Sequence, residues 1–444
     1  MIDSSVFRGK RAAYLTLGCK LNFSEMSTYG RMLEELGVRP AAKGEQADIC
    51  LVNTCSVTDV ADHKCRQAIR SMTRQHPGAV VVVTGCYAQL QPEAISRIDG
   101  VDLVVGNDEK ASLVEHLALA LQGSQPSATA REAVKGGMAK PSSFVASCSR
   151  GNRTRYFLKV QDGCSYFCTY CTIPFARGLS RNPTIASLVA QARQAAAEGG
   201  KEIVLTGVNI GDFGRSTGET FADLVMALDE VTAVERYRIS SIEPDLLTDD
   251  LIRYCAGSRA FMPHFHIPLQ SGSDAVLRLM HRRYDTRLFA DKIGLIRRLM
   301  PSAFIGVDVM VGMRGETAED FEQSYDFIRG LDVTQLHVFP YSERAGTAAL
   351  KIPHIVTPAD KKERCRRLLA LSTDKTRAFY TRHIGTEGEV LVERSVRGRT
   401  LRGFTKNYIR VELPGGDTSL DNTICRVRLG GYNSAGTALT AEII

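Results

Sequence analysis

"KVQDGCSYFCTYCTIPF", residues 159–175, places Cys164, Cys168 and Cys171 in one short loop, spaced CxxxCxxC. A structural zinc loop would close its tetrahedron with a fourth Cys or His. None stands between Tyr156 and Arg181 beyond these three. Iron–sulfur centres are held by cysteine thiolates, ordinarily four to a 4Fe-4S cluster. Three thiolates leave one iron open, and an open coordination position lets a metal centre engage a substrate rather than only brace a loop. The segment just before the loop, "RYFLKVQDG", reads as a strand.

Five further strand candidates follow: "EIVLTGVN", "RYRISSIEP", "HFHIPLQSG", "AFIGVDVMVG" and "QLHVFPYS", with amphipathic helical stretches between them. About six such βα units imply a partial barrel, whose loops after the strands gather on one face, the usual catalytic face. The three-cysteine loop belongs to that face.

The N-terminal part alternates in the same way through "AAYLTLG", "DICLVNT", "AVVVVTG" and "VDLVVGN", which reads as an open parallel sheet. Here "YLTLGC", "CLVNTC" and "VVVTGC" each run from a strand into a cysteine. Strand C-termini of a parallel sheet share one edge, so Cys19, Cys55 and Cys86 are expected to converge into a second three-cysteine site. The alternative is three unrelated buried cysteines. The remaining cysteines carry no assigned chemistry.

The chain has 444 residues, 44% of them hydrophobic, a net charge of +7 and 12 cysteines. That length supports two or three domains. Its apolar runs are too short to span a bilayer and its start lacks an apolar signal core, so the expectation is a cytoplasmic protein without membrane contact. In a reducing compartment the cysteines read as metal or redox groups rather than disulfides. Residues 123–150, rich in Ser, Ala, Gly and Pro, read as a linker. After a basic helix the tail turns to short strands, as a small oligonucleotide-binding-style β-barrel would. Arg394, Arg397, Arg399, Arg402, Lys406 and Arg410 are interleaved with Phe404 and Tyr408 there. Cations for phosphate and rings for stacking suit single-stranded RNA, and the alternative is a solvated basic face.

Taken together, "GCKLNFSEMS", "NTCSVT" and "GCYAQ", then "QDGCSYFCTYCTIPFARGLSR", then a β-rich tail resemble the radical S-adenosylmethionine (SAM) methylthiotransferases along nearly the full length. The resemblance implies an α/β chain: a methylthiotransferase N-terminal domain at 10–122, a radical SAM barrel at 151–380 and a TRAM RNA-binding β-barrel at 383–444. It implies two 4Fe-4S clusters. The one on Cys164, Cys168 and Cys171 would cleave SAM to a radical, and the one on Cys19, Cys55 and Cys86 would carry the sulfur. Loops after later strands offer Asn209, Ser241, Glu243, Gln270, Phe339 and Tyr341 as SAM contacts, although Gly and Ser at strand ends are also ordinary turn residues. Arg177 and Arg181 read as contacts to SAM or RNA phosphate, or as supports of the loop.

Relatives of this kind modify a threonylcarbamoylated or a prenylated tRNA adenosine, or an aspartate of a ribosomal protein. The basic tail favours tRNA, at the anticodon stem-loop, and "LTGVNIGDFG" with "SSIEP" resembles the threonylcarbamoyladenosine branch. "GMRGET" departs from the usual "GFPGET" and makes Arg314 either a reader of the substrate carboxylate or a surface arginine. Two other readings stay open: a radical SAM enzyme whose second cluster only relays electrons, and a non-catalytic iron–sulfur RNA-binding protein. An external electron donor is required, and the sequence names neither it nor the sulfur source.

Overall fold

The computed structural model describes residues 4–123, 139–140, 143–149, 154–393, 400–415 and 418–444. The expected linker therefore lies mostly outside the described residues, as do Arg394, Arg397 and Arg399.

The N-terminal unit is a five-stranded parallel sheet in the order β2-β1-β3-β4-β5. Its strands are β1 (Arg11–Thr16), β2 (Arg39–Pro40), β3 (Ile49–Thr54), β4 (Val80–Gly85) and β5 (Leu103–Val105). β3 is buried at every position, as befits a parallel strand covered on both faces. One face packs α1 (Lys20–Glu35) around Tyr29 and Leu33, and the other packs α2 (Asp59–Gln75) around Cys65 and Ile69. The Thr58 side chain accepts a hydrogen bond from Ala61 N–H and starts α2. A short helix, α3 (Cys86–Leu90), follows β4 directly. β2 was not among the strands expected: two exposed residues carry no alternation to read.

The central unit holds the six expected strands, β6 (Arg155–Lys159), β7 (Glu202–Thr206), β8 (Arg236–Ile239), β9 (His264–Gln270), β10 (Phe304–Val311) and β11 (Gln335–Pro340). All ladders between them are parallel, in two three-stranded sheets. Single parallel bridges, Tyr237 to Phe261 and Ser241 to His266, join the sheets, so the whole is an open partial barrel. Leu158, Leu205, Ile267 and Val307 pack with the outer helices into the largest core.

The long helix Pro358–Thr381 leads to a closed five-stranded barrel made of β12 (Glu387–Glu393), β13 (Leu401–Thr405), β14 (Arg410–Leu413), β15 (Ile424–Tyr432) and β16 (Leu439–Ile443). Closure removes the sheet edges. Its core takes in Phe304 at the start of β10 and Phe379 from the long helix, and Arg155 and Arg236, which begin β6 and β8, also bond it, so the small barrel sits against the strand starts of the large one. Among the described residues no helix is long and apolar enough to cross a membrane.

Candidate active site

Cys19 stands at the N-cap of α1, Cys55 follows β3 and Cys86 opens α3. The three thiols lie close enough to act on one another's ionisation. Glycines make this approach possible. Gly18 has φ +103°, and a Cβ there would come within 2.6 Å of Cys55 Cβ; Gly85 has φ +102°, and its Cβ would meet Thr54 O at 2.4 Å. A side chain at either position would force the strand ends apart. Burial pushes the Cys55 thiol up to about 12. Burial also raises Cys19, opposed by the nearby Arg177 guanidinium. Unaided thiolates are disfavoured here, and a bound metal is what holds such sulfurs deprotonated.

The second set behaves alike. Cys164, Cys168 and Cys171 influence one another, and burial raises all three, Cys164 to about 11. The loop is tied down at both ends. Cys164 N–H donates to Gly178 O at 3.0 Å and Thr169 Oγ1 to Leu279 O at 2.7 Å. Gln161, which the sequence did not single out, is wholly buried and clamps the loop to the next one. Its Oε1 accepts from Val208 and Asn209 N–H, and its Nε2 donates to Gly163 O and Ser180 Oγ. Among the described residues no three His, Cys, Asp or Glu side chains converge on a single ion. In a cluster each thiolate binds its own iron.

Beside these thiols lie several of the residues expected to hold SAM. Asn209 is 2% exposed and neither end of its amide has a partner, the condition in which a buried polar group calls for a ligand. Glu243 pairs with Arg282, whose Nη1 lies 3.1 Å from Cys168 Sγ. Burial raises the Glu243 carboxyl to about 7, with Arg282 opposing and Asp245 assisting. Ser241 forms the bridge to His266, and Gln270 adopts φ +65° at the end of β9. These residues fit a SAM-sized polar ligand beside an iron–sulfur cluster. Phe339 is 49% exposed. Tyr341 is buried, and its ring packs with Met280 and Met313 in a satellite core.

Between the two thiol sets runs a buried charge network. Glu25 of α1 is fully buried and binds Lys110, Lys159 Nζ at 2.9 Å and Arg177 Nη1 at 3.2 Å. Asp162 takes Lys159 at 2.7 Å, Arg177 at 2.8 Å and Arg181 at 2.9 Å. Burial alone would raise the Glu25 carboxyl, yet Lys110, Lys159 and Arg177 outweigh it and hold it well below the usual carboxylate range. Arg177 also donates to Asn22 Oδ1 at 2.6 Å. Arg177 thus joins the two units, while Arg181, which bonds Asp162 and the carbonyls of Arg177 and Leu179, braces the loop within the barrel. A second tie runs from Arg344 to Ser56 Oγ and Asp62, each at 2.7 Å.

The tail also departs from expectation. Phe404 and Tyr408 do not stand open for bases. The Arg155 guanidinium lies 4.7 Å from the Phe404 ring and Arg238 4.9 Å from the Tyr408 ring, while Tyr408 Oη accepts from Arg155 at 3.0 Å. Barrel arginines have taken the faces that stacking would need. Arg402 and Lys406 are exposed and pair with Glu412 at 3.1 Å and Glu389 at 2.9 Å. Arg314 is spent as well: it donates to Glu343 at 2.6 Å and to the carbonyls of Leu350 and Ile352, so it is not the reader of a substrate carboxylate.

A cavity of about 330 Å³ opens where the three units meet, lined by Cys19, Lys20, Arg155, Arg238, His264 and Tyr408 with apolar Phe23 and Phe157. Deeper in the barrel His266 Nε2 lies 2.7 Å from Asp308 Oδ1 and stacks on His337 at 4.9 Å. Their spacing along different strands carries no motif.

Residues 11–106 match the Uncharacterized protein family UPF0004 and residues 158–328 the Radical SAM superfamily. The chain is 36% identical over 427 residues, 95% of its length and 94% of the relative's, to "Threonylcarbamoyladenosine tRNA methylthiotransferase MtaB" of Bacillus subtilis (strain 168). It is 30% identical, over 86% of its length and 87% of the relative's, to "tRNA-2-methylthio-N(6)-dimethylallyladenosine synthase" of Pelotomaculum thermopropionicum. Among solved structures it resembles the radical S-adenosylmethionine methyltransferase TsrM of Kitasatospora setae at TM-score 0.54 and 16% identity, over 74% of this chain and 75% of that one. That likeness is one of fold.

Proposed function

The chain belongs to the radical SAM tRNA methylthiotransferases, and from that premise we propose that it transfers a methylthio group to C2 of N6-threonylcarbamoyladenosine, beside the anticodon at position 37. The observation that carries the reading is the pair of three-cysteine sets, each at the strand ends of its own α/β unit, on either side of the buried Glu25 network. Cys19, Cys55 and Cys86 would hold one 4Fe-4S cluster and Cys164, Cys168 and Cys171 the other. When bound, SAM and the two clusters supply the methyl group, the sulfur and the radical chemistry that places them on carbon.

The chain's own residues bind and orient. Asn209 offers both ends of a buried amide to SAM. Arg282 sets the Glu243 carboxylate beside the Cys168 sulfur, where that carboxylate can accept hydroxyl hydrogen bonds. Gln161 holds the cysteine loop and the Asn209 loop at one spacing. The Glu25 and Arg344 ties fix the N-terminal unit over the barrel, so that a base entering between them meets both thiol sets without the units shifting. Exposed cations on the tail, Arg402, Lys406 and Arg410, suit RNA phosphates of an anticodon stem-loop. Arg397 and Arg399 extend that basic run in sequence. An external donor supplies the electrons, and the setting is cytoplasmic.

The substrate choice is supported by the identity to threonylcarbamoyladenosine enzymes, 36% over 95% of the chain for the Bacillus subtilis one, against 30–33% over 86% for two dimethylallyladenosine enzymes. The test is mass spectrometry of nucleosides from two anticodon stem-loops, one threonylcarbamoylated and one prenylated, after incubation with anaerobically reconstituted protein, SAM and reductant. A methylthio product on the threonylcarbamoylated RNA alone is expected. Product on the prenylated RNA alone overturns the substrate. 5′-Deoxyadenosine without either product removes the methylthio transfer to these adenosines.

A further inference from the structure

We propose that Lys20 recognises the carboxylate of the threonylcarbamoyl group, so that the enzyme selects an acidic N6 substituent by charge. The assignment rests on the substrate reading above. Three cations line the cavity between the units: Lys20, Arg155 and Arg238. Two of them are already matched. Arg155 pairs with Glu393 at 2.9 Å and Arg238 with Glu202 at 2.8 Å. Lys20 has no carboxylate partner among the described residues.

Lys20 is exposed to the cavity, in a place that favours anions over cations. Lys20 is the first residue of α1, whose first turn holds no acidic side chain. A helix N-terminus is already a region of positive potential that favours anions. The two arginines add to it. A cation set against a helix dipole and two other cations, facing a concave space, is arranged for an incoming anion. The rest of the wall suits the remainder of such a ligand. Phe23, Phe157 and Ile239 offer an apolar surface for a base and an alkyl chain.

The chemistry of the substrate places its carboxylate on this side. In an N6-substituted adenine, C2 and N6 flank N1 on one edge of the ring. A base whose C2 is turned to a sulfur carried by a cluster on Cys19, Cys55 and Cys86 has its N6 substituent along that same edge. Lys20 is the residue after Cys19 and lines the same cavity. A prenyl group would bring no charge to it and would leave the ammonium facing an alkyl chain. That mismatch discriminates against the wrong substrate as well as favouring the right one.

The experiment measures affinity of the cluster-loaded enzyme for two stem-loops, one with threonylcarbamoyladenosine and one with its threonyl carboxyl converted to the neutral methyl amide. The wild type is expected to prefer the acid by about 10- to 100-fold, the range of a charge-assisted contact. Lys20→Met should abolish that preference by weakening the acid alone, and Lys20→Arg should keep most of it. Iron content and the visible spectrum check that Cys19 still holds its cluster in each variant. Equal wild-type affinities for acid and amide overturn the assignment without any variant. Equal loss of both RNAs in Lys20→Met also overturns it, and identifies an RNA phosphate contact instead. A wild type that modifies threonylcarbamoylated RNA while Lys20→Met keeps the full preference removes the Lys20 role and leaves the function standing. A wild type that does not modify that RNA removes both.

Discussion

The two seams of this molecule are built from different chemistry. Between the N-terminal unit and the barrel, charges meet charges in a dry interior: Glu25 is fully buried against Lys110, Lys159 and Arg177. Between the barrel and the tail, arginines meet mostly carbonyls and rings, and the ion pairs there, Arg155 with Glu393 at 2.9 Å and Arg236 with Glu389 at 3.8 Å, involve part-exposed carboxylates. Arg236 donates to Phe404 O and Glu389 O, each at 3.2 Å, and Arg238 to Lys406 O and Thr405 O, each at 2.9 Å. The first kind of seam has one good geometry, because a displaced buried ion keeps its desolvation cost and loses its partner. The second tolerates small shifts, since carbonyls and ring faces present broad targets. The rigid seam lies where two cysteine sets have to keep their spacing. The more forgiving one lies beside the tail's exposed Arg402 and Lys406.

The sharpest way to break this contrast is Glu25→Gln, which leaves buried Lys110 without a carboxylate and Lys159 and Arg177 with Asp162 alone. It should cost about 3–5 kcal/mol, read as a fall in the urea midpoint of the barrel and N-terminal unit together. A loss under 1 kcal/mol would mean that water already reaches this seam. Arg236→Met at the other seam should cost less, about 1–3 kcal/mol, because it strips donors from two carbonyls without stranding a charge. If it matches Glu25→Gln, the two seams are not different in kind.

A smaller effect follows pH. Burial, with Arg238 and Lys20 nearby, holds the His264 imidazole well below its ordinary 6.5. The unfolded chain therefore takes up a proton that the folded one refuses, so stability is full above 6.5 and declines as pH falls towards the folded-state value. Each pH unit in that window removes at most about 1.4 kcal/mol. His264 stacks on Phe304 at 5.5 Å and lies 4.5 Å from the Tyr408 ring, so the loosening should appear at the tail. Stability measured between pH 7 and 5.5 should lose that slope in His264→Gln. Least of all, Lys406→Ala should alter stability by under about 1 kcal/mol, the worth of an exposed pair. Its effect should show instead as a shallower salt dependence of RNA affinity, by about one phosphate contact. An unchanged slope would place the RNA elsewhere on the tail.

Much of the site was legible before the structure. Cys164, Cys168 and Cys171 are neighbours in the chain, and a repeated strand-then-cysteine pattern brought Cys19, Cys55 and Cys86 to one sheet edge. Six strand candidates became six strands because each was a short β-branched run bounded by turn residues. Glu25 was invisible. A glutamate in an amphipathic helix reads as a surface residue, and its partners Lys110 and Lys159 lie 85 and 134 residues away. Phe404 and Tyr408 read as rings for stacking bases, but arginines from β6 and β8 of the same chain lie over them. Arg314 misled in the same way, since Glu343 and two carbonyls answer it locally.

By itself, then, the sequence determined the donor atoms, their grouping into threes and the order of the three units. Ligand spacing within a loop and strand-end placement are local properties, set by a few bonds. Only the tertiary structure decided how the charges were shared out. Which ions become dry together depends on surfaces brought into contact across the whole chain, and that packing pairs Arg177, Arg181, Arg155 and Arg238 while leaving Lys20 in the cavity without a carboxylate partner among the described residues.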